Sequence, residues 1–278
     1  MQEKQINHFG IHLGKVGMYF INAEFLYGSE EESKALLEKI DALLEEEHLD
    51  LPKKVFDEVL AQYNSNEIYK STVDELVKTI ENKVSVSEID YIAGGERRDW
   101  FYSNMVAYLL KKPHITIFKD LSAVVSNSDF TETEHVTDIE GKNVFHVSDL
   151  ITEAVSYVNA WIPAIKNING NMKWTATIVN RMQGGDERLK EYGVETYPLA
   201  KVDKNLFKTA LENGSITEDQ YNIIDKYIDN PDETMKEFLL SHPEFVKESL
   251  KGTGKTLKRA TKCVEDDIYN INLKELIK

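Results

Sequence analysis

Apolar residues recur along this chain at two spacings, and the spacing changes twice. Residues 16–27 (VGMYFINAEFLY) are rich in aromatic and β-favouring types, which predicts an extended segment or hairpin. From Ser29 the period becomes helical. Ser29 and Glu32 form a capping-box pair, and the helix they open is expected to run to about Glu47. Pro52 suits the first turn of a helix near 53–63. A third helix is expected over 71–83, with Ser71 or Thr72 as its N-cap.

The pattern then alternates. Ile89–Ala93, His114–Phe118, Val144–Val147, Lys173–Val179 and Val194–Leu199 read as strands. Between them, Trp100–Lys111, Ala154–Ile168 and Asp186–Tyr192 read as helices, with a kink expected at Pro163 and a stop at Gly193. Strands alternating with helices predict an α/β fold, a parallel sheet flanked by helices. After Asp203 the pattern is helical only: 206–212, 217–228, 232–240, 243–250 and 253–264, punctuated by Gly214, Pro231 and Pro243. The expected organisation is an N-terminal segment (1–32), an acidic helical insertion (33–87), an α/β core (88–203) and a helical C-terminal region (204–278).

Composition narrows the classes. The chain has 278 residues, 41% of them apolar and 29% charged, which fits a globular protein with a sizeable core. Its longest apolar run, Met105–Leu110, is too short for a bilayer span. The first residues lack the basic and apolar regions of a signal peptide. One cysteine, Cys263, excludes an internal disulfide and a cysteine-rich metal site. A cytoplasmic location is therefore expected. The net charge of −15 argues against a nucleic-acid binder. Residues 29–90 carry 17 acidic and seven basic residues, so this stretch, which includes the predicted insertion, holds most of the negative excess.

Candidate chemistry lies at the predicted strand ends. In open α/β sheets, ligands bind outside the carboxyl ends of the strands, where helix N-termini present N–H groups to anions. Three stretches meet that condition. Asn143–Ser156 (NVFHVSDLITEAVS) runs from an apolar strand through Asp149 and Thr152 into a helix. Asn180–Val194 (NRMQGGDERLKEYGV) follows the next strand. Gly94–Asp99 (GGERRD) follows the first core strand, with two glycines that allow close backbone approach to an anion and two arginines that supply charge. Taken as residues alone, each also reads as an ordinary turn, and Arg181 as a solvated arginine. Gly252–Thr256 (GTGKT) lacks the preceding strand and upstream glycine of a P-loop and reads as a turn between helices.

Together these stretches resemble the type I phosphoribosyltransferases, most closely the orotate enzymes. The first resembles their phosphoribosyl pyrophosphate (PRPP) motif, with Asp149 and Thr152 matching, Ser148 in place of the first acid, and Glu153, Ala154 and Val155 in place of small loop residues. The second resembles the segment in which Asp-Arg is followed by Gln-Glu-Gly-Gly. Arg181, Gly184 and Gly185 match, and Asn180 replaces the Asp. The third stands where the family binds pyrophosphate. Lys15–Glu24 loosely resembles the entry to the hood over the base. The resemblance covers about 88–200, and loosely 12–32.

That resemblance implies transfer of 5-phosphoribose from PRPP to a nucleobase, orotate first, with Mg²⁺ as cofactor, a pyrimidine base or nucleotide as second ligand, and a homodimer. It implies that Gly94, Gly95, Arg97, Arg98, Asp149, Thr152 and Ser156 hold PRPP, that Asp149 and Lys119 are catalytic, and that Arg181 and Thr152 meet the base. No metal ligand is assigned. The family's mobile basic loop has little counterpart here, because nothing between Lys119 and His135 is Lys, Arg or His. His114 and His135 read as structural or solvated. The alternative is a non-catalytic PRPP- or nucleotide-binding regulatory protein on the same fold; a purely structural scaffold is a third possibility.

Overall fold

The computed structural model describes residues 10–12, 15–17, 19, 21 and 23–277. Met18, Phe20 and Asn22 of the hood-like segment lie outside them. The chain forms two compact units, one spanning Ala23–Val202, the other combining the described residues before Ala23 with Asp203 onward.

The second unit contains β1 (Gly10–His12), paired antiparallel with β2 (Lys15–Gly17), a hairpin that lies before the one expected over 16–27 and shares with it Val16 and Gly17. Ala23–Tyr27, in the first unit, is a 3-10 helix rather than extended chain. Its aromatic residues pack inward: Tyr27 lies against Tyr69 and Phe101.

Three helices follow. Helix α1 (Glu30–Leu43) is capped by Ser29, whose hydroxyl accepts from the Glu32 N–H, and α2 (Leu51–Ser65) carries Pro52 in its first turn. Helix α3 (Glu67–Lys83) begins four residues earlier than the sequence suggested. Asn66 caps it by accepting from the N–H groups of Ile68 and Tyr69, which frees Ser71 and Thr72 to lie inside the helix.

The α/β alternation continues with β3 (Tyr91–Gly95), α4 (Trp100–Leu110), β4 (His114–Ile117), β5 (Ala123–Ser126), β6 (Thr133–His135), β7 (Asn143–Ile151), α5 (Ile162–Asn167), β8 (Asn171–Asn180), α6 (Gly185–Glu191) and β9 (Glu195–Lys201). They build a seven-stranded sheet in the order β6-β5-β4-β3-β7-β8-β9. The β4-β3-β7-β8-β9 part is parallel; β5 and β6 are antiparallel and close one edge. These two short strands were not foreseen. They occupy the stretch compared above with a mobile loop, and Ser126 and Thr133 tie them side chain to side chain at 2.8 Å.

Helices cover both faces. Successive strand residues point to opposite sides, and the two glycines ending β3 show it. A Cβ on Gly94 would lie 2.1 Å from Ser103 Oγ of α4, and one on Gly95 would lie 2.2 Å from Trp161. One face therefore carries α4, which packs in turn against α2 and α3. Helix α4 is buried nearly all round, as its broad apolar face required. Of the acidic helices, α3 also lies directly against β8 and β9, and α2 packs on α3 and α4. The other face carries the helix that includes Tyr157, Trp161, Ile162 and Ile165, packed on Ala93, Ile115, Val144 and Ile151. Tyr157–Trp161 is a π-helical turn that runs into α5. Pro163 lacks the N–H that would continue a regular ladder, which accounts for the irregular turn before it.

In the second unit, α7 (Lys204–Glu212), α8 (Glu218–Asp229), α9 (Pro231–Ser241), α10 (Glu244–Leu250), α11 (Gly254–Asp266) and α12 (Leu273–Leu276) follow. Thr217 and Gln220 complete a full capping box on α8. A small core of Met235, Leu239, Val246, Ala260, Cys263 and Leu273 holds α9 to α12 together. No described helix is long and apolar enough to cross a membrane.

Candidate active site

A cavity of about 210 Å³ opens at the carboxyl ends of β3 and β7. Its walls include Arg97, Arg98, Asp149, Thr152 and Ser156, so five of the nominated residues converge there. Asp99, Glu96, Tyr157 and Trp161 line it too. A larger, more open depression of about 550 Å³, edged by Glu45, Glu46, Glu47, His48, Asp50 and His135, is acidic and unsuited to an anion.

Each side chain is placed by a local device. Strand β7 is longer than expected and extends to Ile151, so Asp149 sits within the strand. Its neighbour Ser148 is buried and receives the Tyr157 hydroxyl at 2.7 Å, so that serine is turned away from the role its position suggested. After Ile151 the chain turns through Ala154, held at φ 54°. A left-handed alanine is strained by about 1–2 kcal/mol. The turn lets Ala154 carbonyl accept from Val158 N–H at 3.1 Å and start the helix beyond the cavity.

Gly94 and Gly95 are inside β3 rather than in the loop, and both are buried. Gly95 N–H already donates to Asp99 Oδ2 at 3.1 Å. Trp100 Nε1 donates to Gly94 carbonyl at 2.9 Å. The glycine pair therefore admits the flanking helices, and the Gly95 N–H is not free for an anion.

The cations of that turn have carboxylate partners. Arg97 pairs with Asp41 of α1, and Arg98 with the buried Glu24. Lys119, which is exposed, pairs with Glu96 at 2.9 Å and donates its backbone N–H to the same carboxylate.

The acids are more unusual. Burial pushes Asp149 up to about 6, against the pull of Arg98 and, further down in weight, Arg181. Burial, followed by the charge of Asp149, holds Asp99 well above the usual carboxylate range. Beneath them His146 is buried, and that burial lowers it to about 3, so its imidazole is neutral. Its Nε2 stands 3.5 Å from Asp99 Oδ2 and its Nδ1 is 3.2 Å from the Tyr157 hydroxyl. His114 is likewise buried and lowered to about 3, with Thr116 and Ser103 on its two nitrogens.

Arg181 follows β8 beside the same sheet edge. Its N–H donates to Ile151 carbonyl at 2.9 Å, which ties it to the end of β7. It does not line the cavity, but its charge reaches Asp149. Gly185 is a true close approach, since a Cβ there would lie 2.3 Å from Thr152 carbonyl.

Sequence reasoning assigned no role to Glu24, Asp41, Glu96, Asp99, Tyr157 or His146. Tyr157 and Trp161 carried a signal, an aromatic pair four apart on one helix face. Asp99 was visible only as the end of a turn. Glu24 and Asp41 carried none, because they reach the site from elements far away in sequence.

Among the described residues, no three His, Cys, Asp or Glu side chains converge as a metal cage.

The chain is similar to several known proteins. The chain is 27% identical over 160 residues to an adenine phosphoribosyltransferase of Mannheimia succiniciproducens, covering 54% of this chain and 86% of that one. It is 23% identical over 167 residues to an orotate phosphoribosyltransferase of Sulfurisphaera tokodaii, covering 59% and 79%. Similar solved structures include Leishmania donovani UMP synthase (TM-score 0.47, 16% identity, 59% of this chain and 33% of that longer one). Orotate phosphoribosyltransferase from Aeropyrum pernix superposes with a TM-score of 0.42 at 19% identity, covering 56% and 81%. No protein-family model matches the chain. On a sheet that is parallel through its centre, with a cavity at the strand ends, the chain is thus similar in sequence to adenine and orotate phosphoribosyltransferases.

Proposed function

We propose that this protein transfers 5-phosphoribose from PRPP to a ring nitrogen of a nucleobase and releases pyrophosphate. The observation that carries this reading is the cavity in which Arg97, Arg98, Asp149, Thr152 and Ser156 meet. In the reaction, the bond from the anomeric carbon to the pyrophosphate oxygen breaks and a carbon–nitrogen bond forms. The base nitrogen loses its proton, and positive charge develops on the sugar ring.

Asp149 is the carboxylate placed to accept sugar hydroxyls. Thr152 and Ser156 offer hydroxyls to the 5-phosphate. Arg97 and Arg98 stabilise the departing pyrophosphate, with Lys119 at the rim, and each must exchange a carboxylate partner to do so. Arg181 suits a planar acceptor, because its fork can bind two oxygens or a carboxylate. Orotate is the first acceptor to test and adenine the second, since relatives of both kinds match. Mg²⁺, when bound, would neutralise pyrophosphate charge, held mainly by the phosphate oxygens of the substrate. A homodimer and a cytoplasmic location complete the reading.

A second reading, a regulatory protein that binds PRPP without turnover, is favoured by one observation. Residues 120–134 contain no basic side chain and 123–126 and 133–135 are strands of the sheet. Removing a single electrostatic contact at a developing charge costs roughly 100- to 1000-fold in rate.

The deciding experiment is a pyrophosphate-release assay with PRPP, Mg²⁺ and a panel of bases, beside a melting-temperature series with the same ligands. Release with one base supports the enzyme. A PRPP-dependent melting shift without release for any base supports regulation. Neither signal would refute both.

A further inference from the structure

Tyr157 has no part in the reaction as proposed, yet it stands next to the loop that would hold the 5-phosphate. It lines the cavity and is 3% exposed, beside the exposed Ser156. Its ring lies edge-on to His146, with centroids 4.8 Å apart. A buried tyrosine usually gives its hydroxyl one partner or water. This hydroxyl points inward, to three polar side chains on two strands. It donates to Ser148 Oγ in β7 at 2.7 Å, stands 2.7 Å from Thr175 Oγ1 in β8, and is 3.2 Å from His146 Nδ1 in β7. His146 and Thr175 are paired across the two strands, and Ser148 follows His146 by two residues, so all three lie on one face of the sheet.

His146, Ser148 and Thr175 are buried polar groups on a face otherwise packed by Ala93, Trp161 and Ile165, and buried polar groups need partners. Apolar contact alone lets a helix slide over a sheet. Hydrogen bonds that converge on one oxygen fix its register, because they are directional. That register sets the loop. Only residues 152–156 separate the end of β7 from Tyr157. The start of the loop is held from α6, where Gly185 packs on the Thr152 carbonyl and Arg188 Nη1 donates to the Glu153 carbonyl at 3.2 Å. The far end runs through the left-handed Ala154, whose carbonyl accepts from Val158 N–H, to Ser156 and the anchored Tyr157.

We propose that Tyr157 is a positioning residue for the phosphosugar: its hydroxyl locks the helix beyond the loop to β7 and β8, and so holds the Thr152 and Ser156 hydroxyls ready for a phosphate monoester. This rests on the reading of the cavity as a phosphosugar site. A loop already in its bound shape need not be ordered when the ligand arrives, and affinity rises accordingly. Arg97 and Arg98, on the pyrophosphate side, come from the turn after β3, which Tyr157 does not hold. Tyr157 therefore acts on the 5-phosphate end alone, and acts through Ser156 and Thr152.

The test measures binding of ribose 5-phosphate and inorganic pyrophosphate to the full chain by calorimetry, for the natural protein, Tyr157→Phe, Ser156→Ala and the double variant. Phenylalanine keeps the ring and removes the hydroxyl. Tyr157→Phe should weaken ribose 5-phosphate by about 10-fold, the cost of ordering roughly one loop residue on binding, and leave pyrophosphate unchanged. Ser156→Ala should cost about 10-fold in the natural protein but less than about threefold in Tyr157→Phe, because a serine that is no longer held contributes little. A merely structural tyrosine would lower the melting temperature without moving either affinity. Unchanged binding of ribose 5-phosphate, equal loss of both ligands, or additive losses in the double variant would overturn the inference and leave the phosphosugar reading standing. If the natural protein does not bind ribose 5-phosphate, that reading fails and this inference with it. Should Tyr157→Phe not fold, Thr175→Val decides the same point, since Thr175 is buried in β8 and lies outside the cavity wall. It should weaken ribose 5-phosphate by about threefold and pyrophosphate not at all. No change, or equal loss of both, overturns the assignment.

Discussion

Arg98 reaches the cavity from the turn after β3, and its guanidinium is paired there with Glu24, a carboxylate buried in the 3-10 helix before α1. Anion binding at Arg98 thus competes with an acid the chain itself supplies. Arg97 stands in the same relation to Asp41. Glu24→Gln should strengthen binding of pyrophosphate by roughly 10-fold, because it removes a desolvated competing charge and keeps a hydrogen-bond acceptor. Asp41→Asn should strengthen it only about twofold, since exposed pairs contribute little. Titration calorimetry in low and moderate salt checks both. Weaker binding in Glu24→Gln would show that Glu24 positions Arg98 rather than competing for it.

The pH dependence of stability has a definite sign. In the folded chain Asp149 is raised to about 6, so between about pH 4 and 6 the folded state holds a proton that the unfolded state has lost. Stability contributed at this site is therefore present below pH 4 and falls as pH rises through 6. In Asp149→Asn this fall is absent, and Asp99 moves the same way because it loses a charged neighbour. The melting temperature of Asp149→Asn relative to the natural protein should rise from pH 4 to pH 7, by an amount on the order of 2 kcal/mol in stability. His114 and His146 are lowered to about 3 and oppose this trend, but they are present in both proteins and cancel in the difference. The same variant should lose any PRPP-dependent melting shift.

Arg181 is tied to Ile151 through its backbone and acts on Asp149 through its charge, while lying outside the cavity wall. Arg181→Ala should weaken binding of the acceptor base by about 10-fold or more and PRPP binding by less than about threefold. Competition binding with each ligand alone and in combination provides the comparison. Equal loss of both would assign Arg181 to the PRPP side.

Gly95, the last residue of β3, is a point of close packing against Trp161. Gly95→Ala would set a Cβ 2.2 Å from the Trp161 ring, between a central strand and a packed helix, where neither can yield cheaply. Overpacking of this kind costs about 1–3 kcal/mol or more. Urea denaturation should show that loss, and combining Gly95→Ala with Trp161→Leu should recover part of it. Full additivity of the two changes would rule out the ring as the obstacle.

Much of this protein was legible in the residue pattern, and the reason lies in period. Strands and helices differ in their hydrophobic repeat, so β3, β4, β7, β8 and β9, with α4 and α6, were recognisable without any partner. That Asp149 lies at the same sheet edge as Arg97, Arg98 and Thr152 was expected from the rule that α/β sheets bind ligands at one edge together with the motif resemblance, although β7 runs two residues past Asp149. Strands β5 and β6 were missed because they are only four and three residues long and polar at the edge, so they carry too few repeats to show a period. Asn66 was missed as a cap because Ser71 and Thr72 are equally good cap residues, and only the packed position of Tyr69 against Tyr27 decides where the helix begins.

The charge state of the site was decided by tertiary structure alone. Sequence identifies arginines, but Glu24 and Asp41 lie 74 and 56 residues away from the ones they neutralise. Sequence identifies Asp99 and Asp149 as acids of the ordinary kind, and only burial and mutual approach raise both above the usual carboxylate range. Hydrophobic period is a local property, summed over neighbours in the chain. Desolvation and Coulomb energy depend on what folding brings within a few ångströms, whatever its place in the sequence.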